Sequence, residues 1–197
     1  MKLCVFQGTF NPIHNAHLAI ANYTADTYEY DTVLFIPAYK PPHKEIDDEM
    51  ANHRFQMVKL AVSGESIFGI SNIEFQNERY SYTYYTIEEL YKRYKIEDRI
   101  GFIIGYDAFR EITEWFEADK LQKLVHFIVF PRDEELNKER LALLRDKGYK
   151  FSITNMKPIN ISSTMIRERL VQKEPVGTLL PHMVLEYINK NELYKDE

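Results

Sequence analysis

A single cysteine, Cys4, stands among the 197 residues, which excludes an intramolecular disulfide and a zinc site built from several cysteines. Cys4 lies in an apolar, strand-like run, and we predict that it is a small residue of the core. Long apolar runs are absent as well. The run from Leu3 to Phe6 is too short for a signal peptide, and the uncharged stretch from Leu3 to Ala25 contains histidines, asparagines and a proline. We therefore expect a cytoplasmic protein with no membrane partner.

Basic residues are in deficit, with 25 lysines and arginines against 30 aspartates and glutamates and a net charge of −5. Binding to a nucleic-acid backbone needs a surplus of positive charge, so we expect no nucleic-acid partner. A local basic pocket for a small phosphate ligand is compatible with this balance. Hydrophobic residues make up 45% and charged residues 28% of the chain, which is typical of a globular protein and excludes a disordered one.

Short apolar runs alternate with helical patterns along the whole chain. The predicted strands span 2–6, 32–36, 68–73, 99–104, 125–130 and 150–153. The predicted helices span 15–27, 48–62, 83–94, 114–124, 134–146, 162–171 and 178–189. Strands that are apolar on both faces and separated by helices predict an α/β fold with a parallel sheet. No Gly/Ser linker interrupts the chain, so we expect one domain over 1–197, with a small helical part from about residue 162.

The segment that follows the first predicted strand combines a turn with two histidines. Gly8 allows backbone to approach a ligand closely, and the N–H groups and positive dipole end of the next helix suit a phosphate. His14 and His17 are three residues apart, so both can face the same side of the first turn and donate hydrogen bonds to phosphate oxygens. Capping or packing roles are the alternative. A zinc site is a further one, but no third ligand is evident nearby.

A second helix start follows the last predicted strand. Ser162 is a candidate N-cap, and Ser163 and Thr164 add hydroxyl and N–H groups at the same helix end. Arg167, four residues after Ser163, can fold over that end, which makes a second candidate anion site. The alternative is a well-capped surface helix with a solvated arginine.

Together the two segments resemble the signatures of the class I nucleotidyltransferase superfamily, H-x-G-H and I-S-S-T-x-I-R. More narrowly, the chain resembles the bacterial nicotinate mononucleotide adenylyltransferases, whose opening is close to G-G-T-F-D-P-I-H-x-G-H-L. Further segments match in order along nearly the whole chain, namely those at 41–44, 81–83, 105–107, 114–115 and 187–194. The resemblance implies a Rossmann-like, doubly wound and mainly parallel sheet with flanking helices.

The resemblance also implies a reaction, in which the phosphate of nicotinate mononucleotide attacks the α-phosphorus of ATP. The products are deamido-NAD and pyrophosphate, a step of NAD biosynthesis. The attacking phosphate is already an anion, so catalysis is expected to consist of positioning and charge neutralisation. Mg²⁺ is expected to arrive on the triphosphate, and no residue is assigned as a dedicated metal ligand. The oligomeric state stays open, and a homo-oligomer is compatible with the sequence.

Site residues follow from the resemblance by motif position. His17, His14 and Arg167 are expected to be catalytic, with His17 nearest the reacting centre. Gly105 and Asp107 are expected to line the ribose site. The full set expected to bind ATP is Gly8, Thr9, Phe10, His14, His17, Gly105, Asp107, Arg132, Ser162, Ser163, Thr164 and Arg167.

The acceptor is expected to meet four other residues. Lys44 is expected to reach the mononucleotide phosphate, Trp115 to stack on the pyridine ring, and Tyr82 and Thr83 to frame its carboxylate. A helix that begins near Thr83 supplies N–H donors there, which favours nicotinate over the uncharged amide. Solvation of Lys44, core packing of Trp115 and Tyr82, and helix capping by Asp107 are the alternatives. His53 and Arg54 are expected to form a pair on a helix surface.

The chain departs from the family pattern at several positions, although none of the changes removes a phosphate-binding group. Gln7 and Ala16 replace glycines, Asn11 replaces an aspartate, and Tyr85 stands where the family commonly has aspartate. Arg132 lies in a segment that departs from the usual R-P-G, and its planar guanidinium can still flank adenine.

Three other interpretations stay open at this point. One is a sister transferase whose acceptor is nicotinamide mononucleotide or phosphopantetheine. Another is a nucleotide-binding protein without turnover. A fragment of a class I aminoacyl-tRNA synthetase is the third, and the short length, the acidic charge and the lack of an anticodon-binding region argue against it.

Overall fold

The computed structural model describes residues 1–40, 48–76, 81–131 and 136–195. Within them, six strands form one sheet in the order β3-β2-β1-β4-β5-β6, and every neighbouring pair is parallel. The strands are β1 (Leu3–Gly8), β2 (Thr32–Pro37), β3 (Phe68–Ile70), β4 (Ile100–Gly105), β5 (Val125–Phe130) and β6 (Phe151–Ile153). This is the strand order of a doubly wound Rossmann-like fold, which confirms the predicted fold class. The order reverses between β1 and β4, where such sheets bind ligands at the carboxyl ends of the strands.

In the described parts of the chain, eight α-helices connect and cover the strands. They are α1 (Asn15–Tyr28), α2 (Asp48–Val62), α3 (Thr83–Arg93), α4 (Tyr106–Phe109), α5 (Ala118–Leu124), α6 (Lys138–Asp146), α7 (Ser163–Val171) and α8 (His182–Lys190). Two short 3₁₀ helices span Ile73–Gln76 and Ile112–Glu114. All seven predicted helices are present, with ends shifted by up to four residues. Three short elements escaped prediction, namely α4 and the two 3₁₀ helices.

The sheet separates two hydrophobic cores, and β1 shows why the strands are apolar on both faces. Leu3 and Val5 point into the core beneath α3, α5 and α6, whereas Cys4 and Phe6 point into the core beneath α1, α2, α7 and α8. Cys4 is fully buried, as the sequence predicted, and desolvation raises the pKa of its thiol far above the usual value. The side chains of β1 therefore pack into a hydrophobic core on each face of the sheet.

Two of the wrongly predicted boundaries have a local reason. The third strand was predicted to reach residue 73, but β3 ends at Ile70, because the Ser71 hydroxyl accepts a bond from the Ile73 N–H at 3.3 Å and starts a 3₁₀ turn. The helix predicted from residue 114 begins at Ala118 instead. Glu117 has a left-handed φ of 53°, so the chain turns before the helix starts.

Among the described helices, none has both the length and the apolar character that crossing a bilayer requires.

Candidate active site

The turn that follows β1 packs tightly at the carboxyl edge of the sheet. The carbonyl of Gly8 accepts a hydrogen bond from the Ala38 N–H at 2.8 Å, and a Cβ on Gly8 would lie 3.0 Å from the ring of Phe10. Phe10 has a positive φ of 48°, and its ring is 3% exposed and packs edge-on against Phe6. Phe10 was expected to bind ATP. Its side chain belongs to the core, so its backbone is the part that can face a ligand.

The two histidines lie at the start of α1 and contact each other. His14 is the N-cap residue, and its backbone N–H donates to Nδ1 of His17 at 3.2 Å. The two rings stack with centroids 3.6 Å apart. Because Nδ1 of His17 accepts a bond, the neutral ring carries its proton on Nε2, where it is a donor. Edge contacts from Phe6 and Phe10 hold the His17 ring in place.

The second helix start, at α7, lies against the first. Ser162 caps α7, as predicted, and its hydroxyl accepts from the Met165 N–H at 3.1 Å. The Ser163 hydroxyl donates to the carbonyl of Pro12 at 2.9 Å. Nη1 of Arg167 donates to the carbonyl of Asn11 at 2.8 Å.

These contacts bring the two motifs together although they lie at opposite ends of the chain. On the far side of α7, Ile166 is completely buried in the core, which fixes the rotation of the helix. Thr164 lies in the first turn of α7 and is exposed.

The C-terminal residues hold the same turn from another direction. The hydroxyl of Tyr194 donates to Oδ1 of Asn11 at 2.6 Å. Asn15, the first residue of α1, donates from its backbone to the carbonyl of Leu179 at 2.9 Å and from its side chain to the carbonyl of Thr178. Asn11, whose lack of charge departs from the family pattern, therefore anchors the C-terminal part to the turn.

Two further residues expected at the ATP site lie at the end of the neighbouring strand. Gly105 is the last residue of β4 and the N-cap position of α4, and Asp107 lies in the first turn of that short helix. Since β4 pairs directly with β1, both lie at the same edge of the sheet as Gly8. Arg132, expected to flank adenine, lies outside the described residues.

The acceptor residues that can be described lie around the start of α3. Tyr82 is the N-cap residue of α3, and its ring lies 4.6 Å from that of Phe116. Trp115 packs edge-on against Phe102, with ring centroids 6.2 Å apart, and is partly buried. Phe116 is 40% exposed, so a larger part of an aromatic surface is open there than at Trp115. Lys44 lies outside the described residues.

The prediction of a surface position for Arg54 was wrong. Arg54 is completely buried, with Nη1 donating to the carbonyl of Thr9 at 2.6 Å and Nη2 to the carbonyl of Tyr39 at 3.2 Å. Burial lowers the pKa of its guanidinium to about 10, so it stays charged at neutral pH. It therefore holds the turn after β1 against the segment after β2. The spacing to Met57 and Val58 was a signal that it lies on the inner face of α2.

The side chain of His53 does not share the buried position of Arg54. Its Nδ1 lies 2.9 Å from the hydroxyl of Tyr187, at the contact between α2 and α8.

Comparison with known proteins places this site in a family. A family model described as cytidylyltransferase-like matches residues 5–169. The "Probable nicotinate-nucleotide adenylyltransferase" of Thermoanaerobacter sp. (strain X514) is 39% identical and aligns over 100% of this chain and 96% of its own length. The protein of the same name from Carboxydothermus hydrogenoformans is 38% identical over 98% of each chain.

Solved structures agree on the fold. The Plasmodium falciparum nicotinic acid mononucleotide adenylyltransferase complexed with NaAD superposes with a TM-score of 0.79 at 21% identity, over 100% of this chain and 98% of that chain. The same enzyme complexed with APC superposes with a TM-score of 0.75 at 20% identity, with the same coverage.

Proposed function

The chain belongs to the nicotinate-nucleotide adenylyltransferases of the cytidylyltransferase-like family, and we propose that the residues gathered at the ends of β1, β4 and α7 carry out that family's reaction. The adenylyl group of ATP is transferred to nicotinate mononucleotide. The products are nicotinate adenine dinucleotide and pyrophosphate, a step of NAD biosynthesis.

One observation carries the proposal for the site. Ser163 and Arg167 are hydrogen-bonded to the carbonyls of Pro12 and Asn11, so the amino end of α7 lies against the turn that leads into α1. Each helix end presents N–H groups and a partial positive charge, and two such ends suit a ligand with several phosphates. The turn after β1 also lies at the switch point between β1 and β4.

In the proposed mechanism, a phosphate oxygen of the mononucleotide forms a bond to the α-phosphorus of ATP. The bond from that phosphorus to the bridging oxygen breaks, and pyrophosphate leaves with the electron pair. The backbone of Gly8 and Thr9 approaches the α-phosphate, and His17 donates from Nε2 to an oxygen on which charge develops. His14 supports the His17 ring and binds the triphosphate, while Arg167 neutralises the leaving pyrophosphate.

Ser162, Ser163 and Thr164 are proposed to supply the N–H groups at the start of α7 for the β and γ phosphates. Gly105 and Asp107 are proposed to meet the adenosine ribose, with the Asp107 carboxylate accepting from a hydroxyl.

Mg²⁺ is proposed to enter with the nucleotide. Within the described part of the chain, no three His, Cys, Asp or Glu side chains group into a metal site. Triphosphate oxygens are ligands of the kind that Mg²⁺ prefers, and we propose that they hold the metal. Bound in that way, Mg²⁺ would reduce the repulsion between the two anionic nucleotides.

The acceptor is proposed to lie against the start of α3. The N–H groups of the first turn face an anion favourably, which supports selection of the nicotinate carboxylate. Tyr82, Trp115 and Thr83 are proposed to frame the ring, and Lys44 to meet the mononucleotide phosphate.

A pyrophosphate-release assay with ATP, Mg²⁺ and one acceptor at a time tests the proposal. Nicotinate mononucleotide should give the highest kcat/KM, with nicotinamide mononucleotide slower and phosphopantetheine inactive. If phosphopantetheine were the one acceptor that gave pyrophosphate release, the protein would be a sister transferase. Binding of ATP without product from any acceptor would indicate a nucleotide-binding protein without turnover.

A further inference from the structure

A buried carboxylate that the proposed mechanism does not use lies beside the start of α3. Glu74, in the 3₁₀ helix Ile73–Gln76, is 6% exposed. Its Oε1 accepts hydrogen bonds from Nε2 of Gln7 and, at 2.8 Å, from the Thr86 hydroxyl. Its Oε2 accepts from the Tyr39 N–H at 3.3 Å. One carboxylate therefore joins the end of β1, the segment after β2 and the first turns of α3.

Gln7 is the residue that extends this connection to the acceptor side. It precedes Gly8 in β1, and both ends of its amide are used. Nε2 donates to Glu74, and Oε1 accepts from the Thr83 hydroxyl at 2.8 Å. Because Glu74 can only accept when ionised, it determines which end of the planar amide faces Thr83. The family opening quoted above has glycine at this position, so the connection comes from this chain's own sequence.

The bond to Gln7 decides what the first turn of α3 offers to a ligand. The proton of the Thr83 hydroxyl points to Gln7, so the remaining donors are the N–H groups of Thr83 and Tyr84. These two groups precede the first hydrogen bonds of the helix and have no partner within it. Their direction follows the orientation of the turn, which Gln7 and Glu74 hold. Both oxygens of a ring carboxylate can accept hydrogen bonds from these N–H groups. A ring amide has only one such oxygen, and its NH₂ group is a donor that finds no acceptor in them.

We propose that Gln7 is a positioning residue for the acceptor, an inference that rests on the proposed function. By linking Thr83 to the buried Glu74, it sets the orientation of the first turn of α3, and with it the preference for a ring carboxylate over a ring amide. Gln7 acts through α3 and needs no contact with either nucleotide.

The variant Gln7→Met keeps the size of the side chain and removes both hydrogen bonds. We expect the KM for nicotinate mononucleotide to rise about tenfold, since positioning through one hydrogen-bonded group is lost, while the KM for ATP changes less than about twofold. The ratio of kcat/KM for nicotinate over nicotinamide mononucleotide should fall. Gln76→Met is the matched control, because Gln76 also donates to one side chain, Asn72, and accepts from another, Arg93, but on an exposed surface.

A double-mutant cycle with Thr83→Val separates positioning from general destabilisation. Each single variant breaks the same bond, so the double variant should bind the mononucleotide no more weakly than the weaker of the two single variants. Thr83→Ser keeps the hydroxyl, so the KM for nicotinate mononucleotide should rise less in this variant than in Thr83→Val. If Gln7→Met fails to fold, the comparison of Thr83→Val with Thr83→Ser tests the same hydrogen bond without the cycle.

Equal KM changes for both substrates, an unchanged acceptor preference or strict additivity in the cycle would overturn the role of Gln7. These outcomes differ from failure of the proposed function, which would appear as a wild-type protein that releases no pyrophosphate with nicotinate mononucleotide.

Discussion

Nη1 of Arg167 donates a hydrogen bond of 2.8 Å to the backbone carbonyl of Asn11, across 156 residues of sequence. This bond ties α7 to the turn that leads into α1, and the stacked pair of His14 and His17 stands at the start of α1. A guanidinium is a charged donor of the kind that binds phosphate groups. The C-terminal motif thereby lies against the turn of the N-terminal one.

Arg167→Ala should lower kcat/KM for the complete reaction by about 100-fold or more, since a charge-assisted donor to the triphosphate is lost. Arg169→Ala is the control on the same helix. Arg169 lies 3.8 Å from Glu174 in a partly exposed ion pair, so its removal should leave the rate near that of the wild type. Steady-state kinetics with both nucleotides measures the difference. Similar rates for the two variants would show that Arg167 does not bind the triphosphate.

Arg54→Met should destabilise the fold by about 3 kcal/mol, because the completely buried guanidinium is lost together with its hydrogen bonds to the carbonyls of Thr9 and Tyr39. Urea unfolding followed by circular dichroism measures it. Arg93→Met removes two hydrogen bonds from the outside of α3, to Glu89 and Gln76, and should cost less than about 1 kcal/mol. A loss at Arg54 as small as that at Arg93 would mean that the buried guanidinium does not hold the two segments together.

Glu74→Gln should change how stability depends on pH. Burial raises the pKa of the Glu74 carboxyl in the folded state, so the folded protein keeps a proton that the unfolded chain has already lost. In wild type, this carboxyl therefore lowers the free energy of unfolding as pH rises above the ordinary value for glutamate, until it is ionised in both states. Relative to wild type, the variant should thus gain stability as pH rises above the ordinary pKa of a glutamate.

Glu89→Gln provides a contrast of opposite sign. Arg93 lowers the pKa of the exposed Glu89 carboxyl, so the bond it makes is lost as pH falls, and this variant should lose stability relative to wild type as pH rises. Unfolding in urea at several pH values compares the two. If the stability difference from wild type changed with pH in the same direction in both variants, the raised pKa of the Glu74 carboxyl would be contradicted.

Gly101→Ala should destabilise β4 by about 1–3 kcal/mol, since the new methyl group would clash with the phenol oxygen and the ring of Tyr30. Gly64→Ala meets nothing within 4 Å and should be close to neutral. Thermal unfolding of both variants checks the pair. An unchanged midpoint for Gly101→Ala would show that Tyr30 does not cover this strand.

The fold could be predicted because its signals are local. The strand β1 alternates between two cores, with Cys4 on one side and Leu3 on the other, and such two-sided apolar runs separated by helices are typical of a parallel sheet. The N-cap of α7 at Ser162 was equally visible, because its hydrogen bond reaches only three residues along the chain. The predicted ends of helices and strands were less accurate, since they depend on single turns such as the one at Ser71.

The supporting residues of the site escaped prediction because their partners are distant in sequence. Gln7 meets Glu74 across 67 residues and Thr83 across 76, and no periodic pattern reports such pairs. Arg54 was misjudged because an arginine is usually solvated, although its helical position faces the core. The catalytic and binding roles of the predicted residues remain predictions.

Turnover by His17→Ala tests the central claim most directly, with formation of nicotinate adenine dinucleotide from ATP and nicotinate mononucleotide as the measurement. His182→Ala is the control, since its ring is 81% exposed at the start of α8. We predict that His17→Ala folds but loses about 100-fold or more in kcat, because a donor to the reacting phosphate is gone, while His182→Ala keeps the wild-type rate. A folded His17→Ala variant with near-normal turnover would contradict the account.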